Sequence, residues 1–342
     1  MRLPSLVAAV DQALLASGIP LGGETIVVGL SGGADSVALL DALAALARRR
    51  DLHPVAAHLD HRLRPESEAD VTFCRALCDG LGVPLHTAAA DVEARAERDG
   101  GGLEQAARRE RYAFLRRVRS ETGAAAIAVA HTRDDQAETL LIRLLRGAGA
   151  TGLGGMRPRV GRLVRPMLEV SRAEVLAHLC EQNLPWREDP TNADTRFLRN
   201  RVRHELLPYL EARFNPALRE GLARTARLLA DEAAHLGKEA DQLLERIART
   251  EADIVVLDRA GLAEAPPAVA RMAVRQALRR AGGLARVRAV HVERILKLAR
   301  ADAPAGRRLP LPGGREVRYR QGELRLGPRA GPPRGPGLGR ES

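Results

Sequence analysis

Six consecutive residues, Ser31-Gly32-Gly33-Ala34-Asp35-Ser36, combine hydroxyl donors, glycines and one carboxylate. They follow an apolar, β-branched run, Thr25–Leu30, and precede an Ala/Leu-rich stretch with Val37, Leu40, Leu43 and Ala44 on one helical side. The order reads as strand, tight turn and helix N-terminus. A helix start leaves backbone N–H groups unsatisfied and carries partial positive charge, which suits a phosphate. Gly32 and Gly33 let the backbone approach such a ligand without a Cβ in the way. Ser31 and Ser36 add hydroxyl donors. A carboxylate beside bound phosphates is repulsive, so Asp35 belongs there only with a cation, and Mg²⁺ bridging phosphate oxygens is the usual solution. The stretch is expected to hold a Mg-nucleotide, with Asp35 as the metal ligand. The competing reading is an ordinary βα turn in which Asp35 and Ser36 only cap a helix. Neither the Walker A pattern with its lysine nor GxGxxG is present.

A second group lies in AHTRDDQAETLLIRLLRGAG, residues 130–149. On a helix, Asp135 and Glu138 share one face, while Leu140, Leu141, Leu144 and Leu145 supply the buried side. Asp134 and Asp135 also suit a helix N-terminus electrostatically. Simple capping, with His131 an incidental strand-end residue, is the bland alternative. The chemical one is a carboxylate pair facing a cationic substrate or Mg²⁺ beside a histidine. Two acidic groups in a phosphate-binding cleft need a cation, and a primary ammonium would serve. Arg108 and Arg111, near Tyr112, share a helix face and could clamp phosphate through planar, charge-assisted donors. Arg109, Arg116 and Arg117 read as a solvated basic face.

The elements that must carry these residues alternate. Strands are expected at Thr25–Leu30, Val55–Leu59, Val83–Asp91, Ala124–Ala130 and Arg162–Met167. Helices follow at Ser67–Leu81, Leu103–Arg119, Asp134–Arg146 and Ser171–Asn183. This spacing predicts an α/β fold with a doubly wound parallel sheet. Ligands of such sheets bind beyond the carboxyl ends of the strands. The polar clusters SGGADS, HLDH (residues 58–61) and HTRDD all fall there. Gly100–Gly102 and Gly147–Val160 read as loops, and residues 185–203 as polar and irregular. A helical connector is expected over 215–250, separating a domain of residues 1–214 from a small α+β domain of 251–327. In that domain Arg307–Leu311 and Glu316–Leu326 read as a hairpin around Pro312-Gly313-Gly314. Residues 328–342, rich in Gly, Pro and Arg, read as a disordered tail.

The 342 residues have ample length for two domains, and 45% hydrophobic with 28% charged residues is ordinary for a globular protein. A net charge of +11, almost entirely from arginine, points to a polyanionic partner. The three cysteines suggest reduced thiols and a cytoplasmic setting. Cys74 and Cys78 share an apolar helical face and read as core. Asp11 breaks the N-terminal apolar run, which reads as an amphipathic helix, and no stretch reaches the length of a membrane span.

SGGADS resembles the SGGxDS loop of the ATP pyrophosphatase (PP-loop) superfamily, whose members split ATP between its α- and β-phosphates. Taken with HLDHRLRPESEAD at 58–70, AARRERY at 106–112, the HxxDDxxET element of residues 131–139, and EDPTN…RNRVRHELLPYL at 188–210, the chain resembles the tRNA(Ile)-lysidine synthetase family, in its shorter form with one C-terminal domain. The resemblance implies a ligase acting on the wobble cytidine of an isoleucine tRNA with a CAU anticodon. ATP would adenylate cytosine O2 with release of pyrophosphate, and the ε-amine of free L-lysine would attack C2 and expel AMP. Carried over, Ser31, Gly32, Gly33, Ala34, Asp35 and Ser36, together with His58, Asp60 and Arg108, would hold ATP with Mg²⁺. His131, Asp135 and Glu138 would line the lysine side, Arg111 the phosphate or RNA side, and Asn200, Arg201 and Arg203 the far wall.

Aromatic residues are only 2% of the chain, so base recognition would rest largely on shape, phosphates and base edges. Trp186, Tyr209 and Tyr319 are the aromatic candidates. Arg315, Arg318 and Arg320 could grip the tRNA or could simply charge an edge strand. A tRNA thiolase would need a CxxC pair that Cys74 and Cys78 do not form. A non-catalytic nucleotide- or RNA-binding module is the rival from another class. The sequence leaves the oligomeric state open, a homodimer being one form it allows.

Overall fold

The computed structural model describes residues 5–20, 22–62, 67–99, 102–188, 194–283, 286–300 and 306–329. Residues 63–66 and 189–193 of the quoted motifs, Gly100, Gly101 and the tail from Ala330 lie outside the described residues.

Apolar runs that are buried on both faces require helices on both sides of the sheet, and the first unit, residues 1–230, is built that way. Its strands are β1 (Glu24–Gly29), β2 (Leu52–Asp60), β3 (Leu85–Ala89), β4 (Ala126–Ala128), β5 (Arg159–Val160) and β6 (Leu163–Val164). They order as β3-β2-β1-β4-β6-β5, parallel except for the short β5 at the edge. The register sets Val28 beside Ala56 on one side and Ala128 on the other. One face buries Ile26 and Val28 against Leu39, Leu40 and Leu43 of the helix Ala34–Arg50, and the other buries Val27 and Ile127 against Phe114, Leu115 and Val118 of the helix Leu103–Glu121. The strand order reverses between β1 and β4. The chain leaves β1 into SGGADS and β4 into HTRDD, so the two clusters open from adjacent strands at the topological switch point.

Cys74 and Cys78 are buried in the core beside Leu77, as their spacing requires. A helix at Val92–Asp99 was not legible in the pattern: only Val92 and Ala96 of it face inward. The segment after Asp194 is ordered: the helix Leu198–Arg201 continues through a π-helical turn, Val202–Leu206, into the helix Leu207–Arg213.

The second unit begins at Asp231, inside the helix Leu218–Ile247. That helix is less a free connector than a shared element. Leu218 and Leu222 pack in the first unit, while Ala240, Leu243 and Leu244 enter the core of the second. The second unit carries β7 (Ala248–Glu251), β8 (Ile254–Asp258), β9 (Arg308–Leu311), β10 (Arg315–Arg320) and β11 (Glu323–Pro328), ordered β7-β8-β11-β10-β9. Helices Pro267–Arg280 and Ala289–Arg300 pack on this antiparallel sheet. The expected single strand Glu316–Leu326 is in fact two, folded at Gln321 and Gly322, whose φ values of 49° and 81° make a two-residue hairpin turn. Arg315 lies against Gly282 and Gly283, and Arg318 pairs with Glu316. Among the described residues no helix is long and apolar enough to cross a membrane.

The glycine-rich loop after residue 147 is locked to the helix Arg133–Leu145 by two side chains: Arg143 donates to the Gly152 and Gly155 carbonyls at 2.6 and 2.8 Å, and Gln136 holds Met156. The Gln136 amide donates to the Met156 carbonyl at 2.9 Å and accepts from its N–H at 2.7 Å. Gly155 (φ 62°) lies so close that a Cβ would sit 2.5 Å from Gln136 Oε1, whereas Gly161 (φ 60°) has open space. Gly161→Ala should cost about 1 kcal/mol for the left-handed backbone alone. Gly155→Ala should cost about 1–3 kcal/mol more, by displacing the buried amide. Urea unfolding of the two variants checks the difference, and equal costs would refute the lock.

Candidate active site

The loop after β1 spends its side chains on its own shape. Ser36 Oγ donates to the Gly33 carbonyl at 2.8 Å and accepts from the Ser31 N–H at 3.1 Å, so this buried hydroxyl braces the turn instead of facing a ligand. Ser31 is exposed. Gly32 takes φ 81°, and a Cβ there would meet Phe73 at 3.3 Å, which explains the glycine. Gly33 is the N-cap of the helix Ala34–Arg50 and offers no side-chain cap, which leaves the first N–H groups of the helix to an anion. Arg187 closes over the loop: its N–H donates to the Gly32 carbonyl at 3.0 Å, and its side chain pairs with Asp70 at 2.5 Å.

Two buried ring nitrogens around this loop, His58 Nε2 and His61 Nδ1, have no hydrogen-bond partner among the described residues, and the buried Asp35 Oδ1 beside them meets only the Arg172 guanidinium. All three residues lie past or near the carboxyl ends of β1 and β2. Leaving such atoms unpaired is costly, so their clustering marks a place built for a ligand. His58 Nδ1 lies 3.0 Å from the Leu30 carbonyl, which can only accept, so Nδ1 carries the proton and Nε2 is the free acceptor. Burial lowers the pKa of His58 and takes His61 down to about 4, with Arg111 adding to the latter. Asp60 accepts from the Arg62 N–H and orders the chain as it leaves β2. Burial raises the Asp35 pKa above its ordinary value against the opposing pull of Arg172, whose guanidinium sits 2.6 Å from Oδ1. Arg172 was not among the expected site residues.

Across the switch point, Thr132 caps the helix Arg133–Leu145 in a capping box with Asp135. Capping and chemistry are not alternatives here, because Asp135 divides its oxygens. Oδ2 accepts from the Thr132 N–H at 2.9 Å, while Oδ1 accepts from Arg199 Nη2 at 2.7 Å and Arg203 Nη2 at 3.3 Å. Glu138, fully buried, takes Arg199 Nε at 2.8 Å on one oxygen and Arg203 Nε at 2.5 Å on the other. Burial disfavours the Asp135 charge, yet Arg199, the Thr132 N–H, His131 and Arg203 outweigh it and hold the pKa below its ordinary value. The carboxylate pair therefore faces cations, as its repulsion demands, and both are arginines of this chain.

Arg199 and Arg203 are four apart and share a helix face; Arg201 lies on the other, lining a separate recess with Leu145 and Tyr209. Of the expected wall residues, the structure brings Arg203 to the carboxylates together with Arg199, and does not bring Arg201 there. Asn200 braces the segment by donating to the Asp194 carbonyl at 2.9 Å. Arginine numbers hid Arg199 in the sequence; the i, i+4 pairing with Arg203 was the available signal.

His131 sits within the field of Arg165, Arg108 and Arg199, and burial first, then these cations, takes its pKa down to about 3 despite Asp135. Arg165 Nε donates to His131 Nδ1 at 3.2 Å, so the ring proton is on Nε2 and the imidazole presents a donor. Arg108 lies 5.0 Å and Arg111 5.9 Å over the Tyr112 ring. Arg111 keeps solvent access while the surrounding protein lowers its pKa, as for a group lining a recess. The result is a cleft with several guanidinium groups on one side, an uncapped helix start on the other, and Asp35 between them.

A family model described as a PP-loop domain matches residues 7–210, and one described as a TilS substrate binding domain matches residues 257–325. The first match implies ATP binding. The tRNA(Ile)-lysidine synthase of Geobacter sulfurreducens is 44% identical over 83% of this chain and 61% of its own length. That of Solibacter usitatus is 42% identical over 89% of this chain and 68% of its own. The chain belongs to the tRNA(Ile)-lysidine synthase family. It spans about three fifths of the length of several of these relatives, and 57% of the one from Thermus thermophilus, which is 44% identical. Among solved structures, the U34-tRNA thiolase NcsA from Methanococcus maripaludis superposes with a TM-score of 0.55 at 16% identity, covering 66% of this chain and 78% of that one. This likeness is one of fold. Burial pushes the thiols of Cys74 and Cys78 up to about 12 and about 11.

With Nδ1 accepting from Arg165 and a pKa near 3, His131 should stay neutral, Nε2-protonated, from pH 5 to pH 9. Nitrogen-15 shifts of the ring check this; a titration near the ordinary value of 6.5 would contradict the assigned environment.

Proposed function

We propose that the chain converts the wobble cytidine of a CAU-anticodon isoleucine tRNA to lysidine, using ATP and free L-lysine. The observation that carries this reading is the juxtaposition of two clusters at the ends of adjacent strands β1 and β4. One binds phosphate by backbone; the other pairs two buried carboxylates with cations. Family membership supplies the reaction class.

A carbonyl oxygen leaves poorly until it is phosphorylated, so the cytosine O2 must first be activated. In this reading Ser31, Gly32, Gly33, Ala34 and the helix start cradle the phosphates of ATP, with His58 and Asp60 at the neighbouring strand end. Arg108 and Arg111 stabilise the negative charge that accumulates at the α-phosphate as pyrophosphate departs. Mg²⁺ suits Asp35, a hard oxygen donor whose buried carboxylate is met here by the Arg172 guanidinium, and the ion would take the rest of its ligands from phosphates and water. Bound there, it would neutralise phosphate charge. Arg172 then gives up its hold on Asp35.

The lysine ε-amine, once it has lost its ammonium proton to water, next attacks C2. The C–N bond forms, the C2–O bond breaks, AMP leaves with its electron pair, and the remaining excess proton passes to water. Asp135 and Glu138 provide the anionic seat for an ammonium, which enters as Arg199 and Arg203 yield part of it. His131 offers its Nε2 proton as a hydrogen bond to the activated base or the AMP. Asn200 and Arg203 steady the wall facing the nucleotide. A cytoplasmic location follows from these substrates.

Asp35→Asn separates stability from function. Since burial raises the folded-state pKa, the charged carboxylate is a cost at neutral pH that disappears only as pH falls through that raised pKa. The variant should therefore melt higher than the unsubstituted protein without ligands, while pyrophosphate release with tRNA, ATP and Mg²⁺ falls by at least 100-fold. Normal release would remove Asp35 from the metal site. Release that persists when the wobble C becomes U would refute the proposed base.

A further inference from the structure

The chain has four phenylalanines, three tyrosines and one tryptophan, and those open to solvent all lie between residues 197 and 214. Phe197, Tyr209 and Phe214 are 48%, 57% and 72% exposed. The other two aromatic candidates serve the fold: Trp186 packs on the core of the first unit, and the Tyr319 hydroxyl is held by Arg259 at 2.9 Å. Folding gains nothing from three bare rings on one short segment. Tyr209 and Phe214 stand edge to face with centroids 6.1 Å apart, which fixes them as a preformed pair. Beside Tyr209 opens a recess of about 380 Å³ lined by Leu145, Leu198, Arg201 and Leu206, with Glu205 its single carboxylate.

The charge around this face selects its occupant. Arg146, Arg201 and Arg213 have no carboxylate partner among the described residues, whereas Arg199, Arg203 and Arg219 nearby all do. A second copy docking through the same patch would set these free cations against themselves. Rings flanked by free guanidinium groups suit flat, anionic-backboned ligands, since bases stack on aromatic faces and arginines meet the phosphates. The location fits as well. Arg203 holds the reaction-site carboxylates, and Tyr209 follows six residues later on continuous helix, about 9 Å of rise.

We propose that Tyr209 and Phe214, with the recess beside them, form a stacking platform for unpaired nucleobases of the tRNA loop that carries the reacting cytidine. The proposal rests on the RNA-modifying reading above. It adds that the loop is held open by stacking on this face while its neighbour reacts. The segment thus couples recognition to the site through one rigid element.

The test uses the full chain and tRNA transcripts with 2-aminopurine placed at each unpaired anticodon-loop position in turn. Binding should quench the fluorescence at one or two positions. The double variant Tyr209→Ala, Phe214→Ala should abolish that quenching and raise the KM for tRNA about 10-fold or more, leaving the KM for ATP unchanged. Tyr209→Trp should retain both signals, which separates stacking from mere surface disturbance. The salt dependence of tRNA binding should be unaltered in the double variant but shallower by about one ion in Arg201→Ala. Unchanged tRNA KM and quenching in the double variant would overturn the platform, as would a shift from dimer to monomer at constant tRNA affinity. Absence of tRNA binding by the unsubstituted protein would overturn the parent reading along with it; loss confined to the variants upholds both.

Discussion

Two carboxylates on neighbouring turns of one helix, one of them wholly removed from water, cannot stay ionised without cations beside them. Asp135 and Glu138 meet that requirement with Arg199 and Arg203, which arrive from a segment more than sixty residues later. Much else follows from this constraint. It ties the helix Leu198–Arg201 and the π-helical turn at Val202–Leu206, a distortion common at functional sites, to the helix Arg133–Leu145. It buries Leu141, Val202 and Leu207 as a small satellite core behind the ion pairs. In the proposed reaction an incoming ammonium would replace one cation by another, with no buried charge left alone.

The rest of the cleft is organised by opposite logic. Burial first, and then the charges of neighbouring guanidinium groups, lowers the pKa values of Arg111, Arg165 and His131, with Arg165, Arg108 and Arg199 acting on His131. Such a site is strained when empty and relieved by a polyanion. Asp35 is the mirror case, an acid whose charge burial disfavours and the Arg172 guanidinium partly offsets.

Some of this was legible in the residues. The turn after β1 is local: glycine tolerance, a helix start and a following apolar face all lie within a few residues, and the strand-helix alternation placed it correctly at the carboxyl end of the sheet. In the antiparallel second unit the reading missed two features: the strand Ala248–Glu251, whose first three residues were expected to be helical connector, and the turn at Gln321, whose left-handed conformation its side-chain type does not advertise. What the pattern hid was partnership at long range. Arg172, Arg165 and Arg199 look like any of the many arginines, and only the fold selects the ones that meet Asp35, His131 and Asp135. Ser36 shows the reverse error. Its hydroxyl suggested a ligand contact, but an internal carbonyl claims it.

The measurement that reaches the central claim most directly is transfer of labelled L-lysine to an isoleucine tRNA transcript with a CAU anticodon, in the presence of ATP and Mg²⁺. The account predicts one lysine per tRNA, dependent on ATP and lost when the wobble cytidine is replaced by uridine. Pyrophosphate release with no lysine transferred would contradict the assignment of Asp135 and Glu138 as the lysine seat, and the absence of both signals would contradict the account as a whole.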